Sequence, residues 1–154
     1  MQSAEADFVF LEARFQPPGR SRAGPAIPSA DLTSTSPARP TMSAITTHVL
    51  DTSRGRPAQN VGIVLERVDA NGAAILARGA TDDDGRLRTL LPAGEPPQPG
   101  TYRLTFATGA YFAALGVQAF YPEVAILFEV RAADEHYHVP LLLNPFGYST
   151  YRGS

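Results

Sequence analysis

The sequence contains no cysteine and no tryptophan, and only three of its 154 residues are histidine. The absence of cysteine excludes disulfide bonds, thiolate catalysis and cysteine-ligated zinc, and it fits a reducing compartment. Basic and acidic residues nearly balance at 13 and 15, and the arginines are scattered, so we expect no nucleic-acid partner. No apolar run is long enough to span a membrane, and the first residues lack the features of a secretory signal. We therefore expect a cytoplasmic protein that does not associate with membranes.

Residues 1–41 differ in composition from the rest of the chain. They are rich in proline, serine, glycine and arginine and show no apolar period. Such a segment cannot bury enough apolar surface to offset its chain entropy, so we predict a disordered N-terminal extension over 1–41 and a folded domain over 42–154. Met42 follows the extension directly, which suggests the hypothesis that translation starts there. An intact mass of the native protein that included residues 1–41 would contradict this hypothesis.

The domain from residue 43 onward shows alternating apolar and polar residues between turn signals that recur about every ten residues. This spacing is typical of an all-β sandwich. Asn71-Gly72 and the run 82–85, Asp-Asp-Asp-Gly, are the clearest turn signals. The pattern predicts an antiparallel sandwich of seven or eight strands with one short helix over 109–116, and it has no parallel-sheet signature. The predicted strands are 44–50, 61–68, 73–78, 86–91, 101–106, 124–130, 137–143 and 147–152.

Residue parity along 135–143 predicts where the neighbouring histidines point. The apolar row that suits a core consists of Tyr137, Val139, Leu141 and Leu143. The opposite row then faces outward, and it consists of His136, His138, Pro140 and Leu142. An outward row that mixes histidine with proline and leucine indicates a subunit interface or a binding groove. Scattered apolar surface residues are the alternative.

Motifs for common active sites are absent from the sequence. His136 and His138 stand two residues apart and can bind a metal ion, but no further ligand follows at a zinc-site spacing and HExxH does not occur. We therefore expect no resident metal, with adventitious zinc at this pair left open, and we interpret His136 as hydrogen-bonded at a sheet surface. No GxSxG sequence supports a serine nucleophile, and the acidic residues of 82–84 fit a solvated turn.

Four segments of the domain carry a distinctive combination of polar and turn residues. They are 47–51 (THVLD) with 55–58 (GRPA), 81–86 (TDDDGR), 111–112 (YF) with 120–123 (FYPE), and 136–154, which begins HYHVPLLL and ends YRGS. In order and spacing they resemble the 5-hydroxyisourate hydrolase family, the transthyretin-related enzymes of urate breakdown. The final Tyr-Arg-Gly-Ser is highly specific, because the hormone-carrying transthyretins are similar in fold but lack it.

The resemblance implies a transthyretin-like sandwich that assembles as a homotetramer, a dimer of dimers with active sites in the groove between dimers. It implies a small-molecule substrate, 5-hydroxyisourate, which is hydrolysed to 2-oxo-4-hydroxy-4-carboxy-5-ureidoimidazoline without a cofactor. By motif, His48, Arg86 and His138 are the expected catalytic residues, and Tyr151 and Ser154 are expected to bind the substrate.

The chemistry of these side chains fits a hydrolase. A histidine with a pKa near 6.5 can take a proton from water, and either His48 or His138 is suited to be that base. The guanidinium of Arg86 can stabilise the negative charge that develops on the attacked carbonyl. The main alternative is a transthyretin-like carrier of a small aromatic ligand without catalysis. A scaffold or targeting role for residues 1–41 is a third hypothesis.

Overall fold

The computed structural model describes residues 43–154, so the predicted disordered extension over 1–41 lies outside the described residues. Within the described range the chain forms ten strands and one helix. They are β1 (Ile45–Asp51), β2 (Arg56–Pro57), β3 (Gly62–Asp69), β4 (Gly72–Ala80), β5 (Arg86–Leu87), β6 (Gly100–Phe106), α1 (Thr108–Ala114), β7 (Val124–Val130), β8 (Tyr137–His138), β9 (Leu141–Asn144) and β10 (Gly147–Thr150).

The four-stranded sheet has the order β4-β3-β6-β7, and every pair of neighbours in it is antiparallel. Three of its strands, β3, β6 and β7, follow the predicted alternation in most of their length. For example, β6 buries Tyr102, Leu104 and Phe106 while the residues between them stay half-buried. The predicted hairpin joins β3 to β4. There the Asp69 carboxylate accepts the Asn71 backbone N–H at 2.8 Å, and Gly72 adopts a φ of 132°, which favours glycine.

The six-stranded sheet is built around β1. One edge of β1 pairs antiparallel with β5 and β2, and the other edge pairs parallel with β8 and β9, while β10 pairs antiparallel with β9. The sandwich is confirmed, but the expectation of purely antiparallel pairing is wrong for this sheet. The chain between β1 and β8 includes the whole four-stranded sheet, so it is long enough for the crossover that a parallel partner requires.

The predicted strand over 137–143 is divided into β8 and β9. Pro140 has no N–H to donate, which interrupts the ladder to β1 at this point. The predicted apolar row of this segment is buried, as expected from parity. Pro140 itself is also buried, contrary to the prediction, because the chain after β9 folds back and the Thr150 hydroxyl donates to the Pro140 carbonyl at 2.8 Å.

The core lies between the two sheets and is closed at one end by α1. This seven-residue helix confirms the predicted short helix and buries Tyr111 and Phe112. Gly116 lies just after the end of the helix, and its φ of 70° allows the Val117 N–H to reach back to the Phe112 carbonyl at 2.9 Å. Among residues 43–154 no helix has the length and apolar character needed to cross a membrane.

Candidate active site

The turn before β5 holds Arg86 in place. One carboxylate oxygen of Asp82 accepts the backbone N–H groups of Asp84 at 3.0 Å and of Arg86 at 2.8 Å. Gly85 has a φ of 71°, and a β-carbon at this position would collide with the Val49 carbonyl oxygen of β1. Glycine at the end of the predicted acidic turn therefore lets the turn lie directly against β1 and fixes where Arg86 emerges.

Strand β1 brings the three predicted catalytic residues together. Its position between β5 and β8 places His48 opposite Arg86 on one edge and Thr46 opposite His138 on the other. Thr46 and His48 are two residues apart and share the face of β1 that points away from the core. Because paired residues lie on the same face of a sheet, His48, Arg86 and His138 share one face, and all three are half-buried.

The surroundings of both histidines favour their neutral forms. Burial lowers the pKa of His48 below its usual 6.5, and the Arg86 guanidinium adds to this effect, while a hydrogen bond to the Asp84 backbone and the carboxylates of Asp82 and Asp84 oppose it. Burial also lowers the pKa of His138, with further lowering from Arg86, His136 and His48, while a hydrogen bond to the Thr46 backbone opposes it. Each imidazole is thus prepared to accept a proton at neutral pH.

The segment after β10 returns to His138. The Gly153 N–H donates to the His138 carbonyl at 2.9 Å, and a β-carbon at Gly153 would lie 2.5 Å from Cδ2 of the imidazole. Arg152 is held by Glu135 at 2.6 Å and lies over the Tyr137 ring at 5.3 Å. The main chain at Gly153 therefore pairs with β8 and lies against the His138 ring.

A groove of about 480 Å³ opens beside this segment. Of the five predicted site residues, His138 and Tyr151 line it, and Tyr151 is 57% exposed. His48 on β1 and Arg86 on β5 are not part of its lining, and Ser154 is exposed next to Gly153. The remaining lining residues are Ile126, Leu127, Phe128, Glu129, Arg131, Tyr137, Val139, Thr150 and Arg152.

Thr46 is a polar residue of this site that sequence reasoning missed. Its side-chain oxygen lies 2.9 Å from Nε2 of His136 and 2.9 Å from Nδ1 of His138. The expected hydrogen bonding of His136 at the sheet surface is therefore observed, with Thr46 as its partner. Strand alternation could have predicted its place in the site, because Thr46 is two residues from His48 and lies on the same face of β1. Within residues 43–154 no three histidine, aspartate or glutamate side chains are grouped closely enough to hold a metal ion.

Comparison with known proteins adds independent findings. The sequence model of the HIUase/Transthyretin family matches residues 45–153. A protein of Caulobacter vibrioides named 5-hydroxyisourate hydrolase is 49% identical over 117 residues, which are 73% of this chain and all of that protein.

Two solved structures are similar in fold. The Klebsiella pneumoniae 5-hydroxyisourate hydrolase superposes with a TM-score of 0.64 at 39% identity, over 71% of this chain and 97% of that one. An (S)-allantoin synthase superposes with a TM-score of 0.66 at 40% identity, over 71% of this chain but only 43% of the other. The chain thus spans less than half of the synthase and nearly all of the hydrolase.

Proposed function

The chain belongs to the HIUase/Transthyretin family, and from that premise we propose that it hydrolyses 5-hydroxyisourate to 2-oxo-4-hydroxy-4-carboxy-5-ureidoimidazoline. The observation that carries the proposal is that two imidazoles and a guanidinium, those of His48, His138 and Arg86, lie on one sheet face, with the pKa of both imidazoles lowered by burial. The relatives named as hydrolases support catalysis over the carrier alternative.

We assign His138 as the general base, because it is the histidine that lines the groove. Its imidazole takes one proton from a water molecule as the water oxygen bonds to a ring carbonyl carbon of the substrate. The carbon–nitrogen bond of the cyclic amide then breaks, and the same proton passes from His138 to the leaving nitrogen. One water is consumed and the imidazole is restored. A positioned base of this kind contributes roughly 10²–10⁴ in rate.

We assign Arg86 to stabilising the negative charge that develops on the substrate, and His48 to hydrogen bonding beside it. The carbonyl oxygen becomes negative as water adds, and a guanidinium held at a fixed point stabilises it through charge and paired donors. The Asp82 turn supplies that fixed point, since it binds the backbone N–H of Arg86. His48 lies opposite Arg86 and provides a second hydrogen-bonding group for the ring or the water.

The test is the decay of 5-hydroxyisourate, generated in situ by urate oxidase and followed by ultraviolet absorbance with the full chain added. We expect faster decay with the wild-type protein and a reduction of roughly 10²–10⁴ in His138→Asn. The circular dichroism spectrum and unfolding midpoint of the variant serve as controls for folding. Decay at the spontaneous rate with the wild-type protein would overturn the proposal and favour the carrier.

Tyr151 and Ser154 are assigned to substrate binding, where their hydroxyl and backbone groups grip ring oxygens and nitrogens. Tyr148 offers a matched control, because it lies three residues earlier in β10, is also exposed and packs against Tyr121 with ring centroids 5.3 Å apart. We expect Tyr151→Phe to raise KM and Tyr148→Phe to leave it unchanged. Equal KM values for the two variants would contradict the assignment.

The proposal includes a cytoplasmic homotetramer, a dimer of dimers in which the substrate binds in the groove between dimers. Large apolar side chains that are exposed in the single chain support burial by further copies, among them Leu127, which lines the groove, and Phe120 and Phe146. Light scattering after gel filtration should give four times the chain mass of 16.5 kDa. A monomer mass at micromolar concentration would refute the assembly.

A further inference from the structure

The hydroxyl of Thr46 lies between two imidazoles that the mechanism treats differently. It is 2.9 Å from Nδ1 of His138, the assigned base, and 2.9 Å from Nε2 of His136, which the reaction does not otherwise use. Thr46 is only 3% exposed, whereas His136 is exposed. A buried hydroxyl thus connects the base to a ring that is open to solvent.

The number of hydrogens restricts how this contact can be made. A threonine hydroxyl carries one hydrogen and can donate it to one acceptor only, although its oxygen can accept. Within residues 43–154 the Thr46 side chain has no third hydrogen-bond partner, so its hydrogen is satisfied by one of the two rings. One imidazole therefore accepts from Thr46, and the other donates to it.

The demands on a base decide the direction. Nδ1 of His138 faces Thr46, so the nitrogen left to accept the proton of water is Nε2, which must be bare. The other nitrogen then carries the hydrogen of the neutral ring, and the group bonded to it sets the tautomer. For Nε2 of His138 to be bare, its Nδ1–H must donate to Thr46, Thr46 must donate to Nε2 of His136, and the hydrogen of His136 must reside on its Nδ1.

We propose that Thr46 and His136 are positioning residues, a hydrogen-bonded pair that holds His138 as the Nδ1–H tautomer with Nε2 free to act as base. The inference rests on the proposed function, in which His138 is that base. The ring is also restrained from its other side by the backbone of Gly153, so both its orientation and its proton position are set by neighbours.

The kinetic test removes the hydroxyl of Thr46 and then restores it. Thr46→Val keeps the side-chain shape without a donor or acceptor, and we expect kcat to fall about tenfold, as for the loss of one hydrogen bond, with KM unchanged. Thr46→Ser should restore kcat to within about twofold of the wild type. A wild-type kcat in Thr46→Val, or a failure of Thr46→Ser to restore the rate, would overturn the inference.

Thr47 provides the matched control. It is the next residue of β1, is equally buried at 1% exposed, and donates its hydroxyl to the Val139 carbonyl at 2.6 Å rather than to an imidazole. Thr47→Val should lose stability and keep kcat. Two variants of His136 test whether this residue must accept a hydrogen bond from Thr46. His136→Gln retains an oxygen that can accept it, and His136→Phe does not. We expect only His136→Phe to resemble Thr46→Val.

A spectroscopic measurement separates this inference from the proposed function. With only three histidines in the chain, the ¹⁵N shifts of His138 can be assigned by comparison with His138→Asn. At pH 7.5, with a chelator present, we expect a protonated Nδ1 and a bare Nε2 in the wild type, and a mixture of tautomers in Thr46→Val. A wild-type Nε2–H tautomer would overturn the inference even if turnover is normal. Absent turnover with the expected tautomer would count against the proposed function alone.

Discussion

The two sheets of the sandwich are built differently. The four-stranded sheet consists of strands of seven to nine residues joined in long antiparallel ladders, with one register shift between β3 and β4. The six-stranded sheet contains three strands of only two residues, and it combines parallel and antiparallel partners around β1. The assigned catalytic residues all belong to the second sheet. Short strands that end beside β1 bring side chains from distant parts of the sequence to one place, which a regular ladder of neighbours does not do.

Of the changes that compare the two sheets, we expect the largest effect from Arg86 in the six-stranded sheet, and we expect it on the rate. Arg86→Ala should lower kcat/KM by about 10²–10³, because loss of one donor to a developing oxyanion typically costs about 2.7–4 kcal/mol. Arg88→Ala is the matched control, since Arg88 lies two residues further on and is exposed. Steady-state kinetics of both variants measure the difference. Similar rates in the two variants would contradict a catalytic role for Arg86.

A substitution in the core of the four-stranded sheet should lower stability and leave the rate unchanged. Leu104 is fully buried on β6, and Leu104→Ala should lower the free energy of unfolding by about 2–5 kcal/mol through lost burial and a residual cavity. The rate per folded molecule should stay near that of the wild type. Denaturant unfolding together with kinetics checks both statements, and a large loss of kcat in the folded variant would mean that the sheets are not separable in function.

The glycine at the turn before β5 connects stability to the site. Gly85→Ala introduces a β-carbon at a φ of 71°, where it also collides with β1. Gly116→Ala introduces the same strain at a φ of 70° but meets no atom within 4 Å. We expect Gly116→Ala to cost about 1 kcal/mol and Gly85→Ala to cost more and to lower the rate as well. Equal losses of stability and no loss of rate would show that the contact with β1 is unimportant.

The smallest effect we expect is a dependence of stability on pH. The pKa values of His48 and His138 are lowered in the folded protein, so below pH 6.5 the unfolded chain binds more protons than the folded one. The contribution of both residues is complete above pH 6.5 and is lost as the pH falls toward the lowered values. The unfolding midpoint, measured at fixed concentration, should therefore decrease over this window, and by less in His138→Asn. An unchanged slope in that variant would contradict the lowered pKa.

The contrast between the sheets also explains what the sequence could predict. Alternation along β3, β6 and β7 and the signal at Asn71-Gly72 are local, so the four-stranded sheet was predicted closely. The pairing of Thr46 with His138 joins residues 92 positions apart, and no local pattern reports such a register. The resemblance predicts the polar residues of the proposed site, whereas the contact between Thr46 and His136 and the parallel direction of β8 are seen only in the fold.

The contact between Gly153 and His138 has a consequence for how this sequence can evolve. Gly153 is not required by a left-handed backbone, since its φ lies outside the positive range, but by the width of the ring beside it. We therefore expect substitutions at the two positions to be coupled. A lineage that replaced His138 with a smaller residue would relax the constraint on position 153, whereas a lineage that keeps the imidazole must also keep the glycine. Relatives in which both His138 and Gly153 are replaced are then expected to keep the β-sandwich and to lack the hydrolase activity.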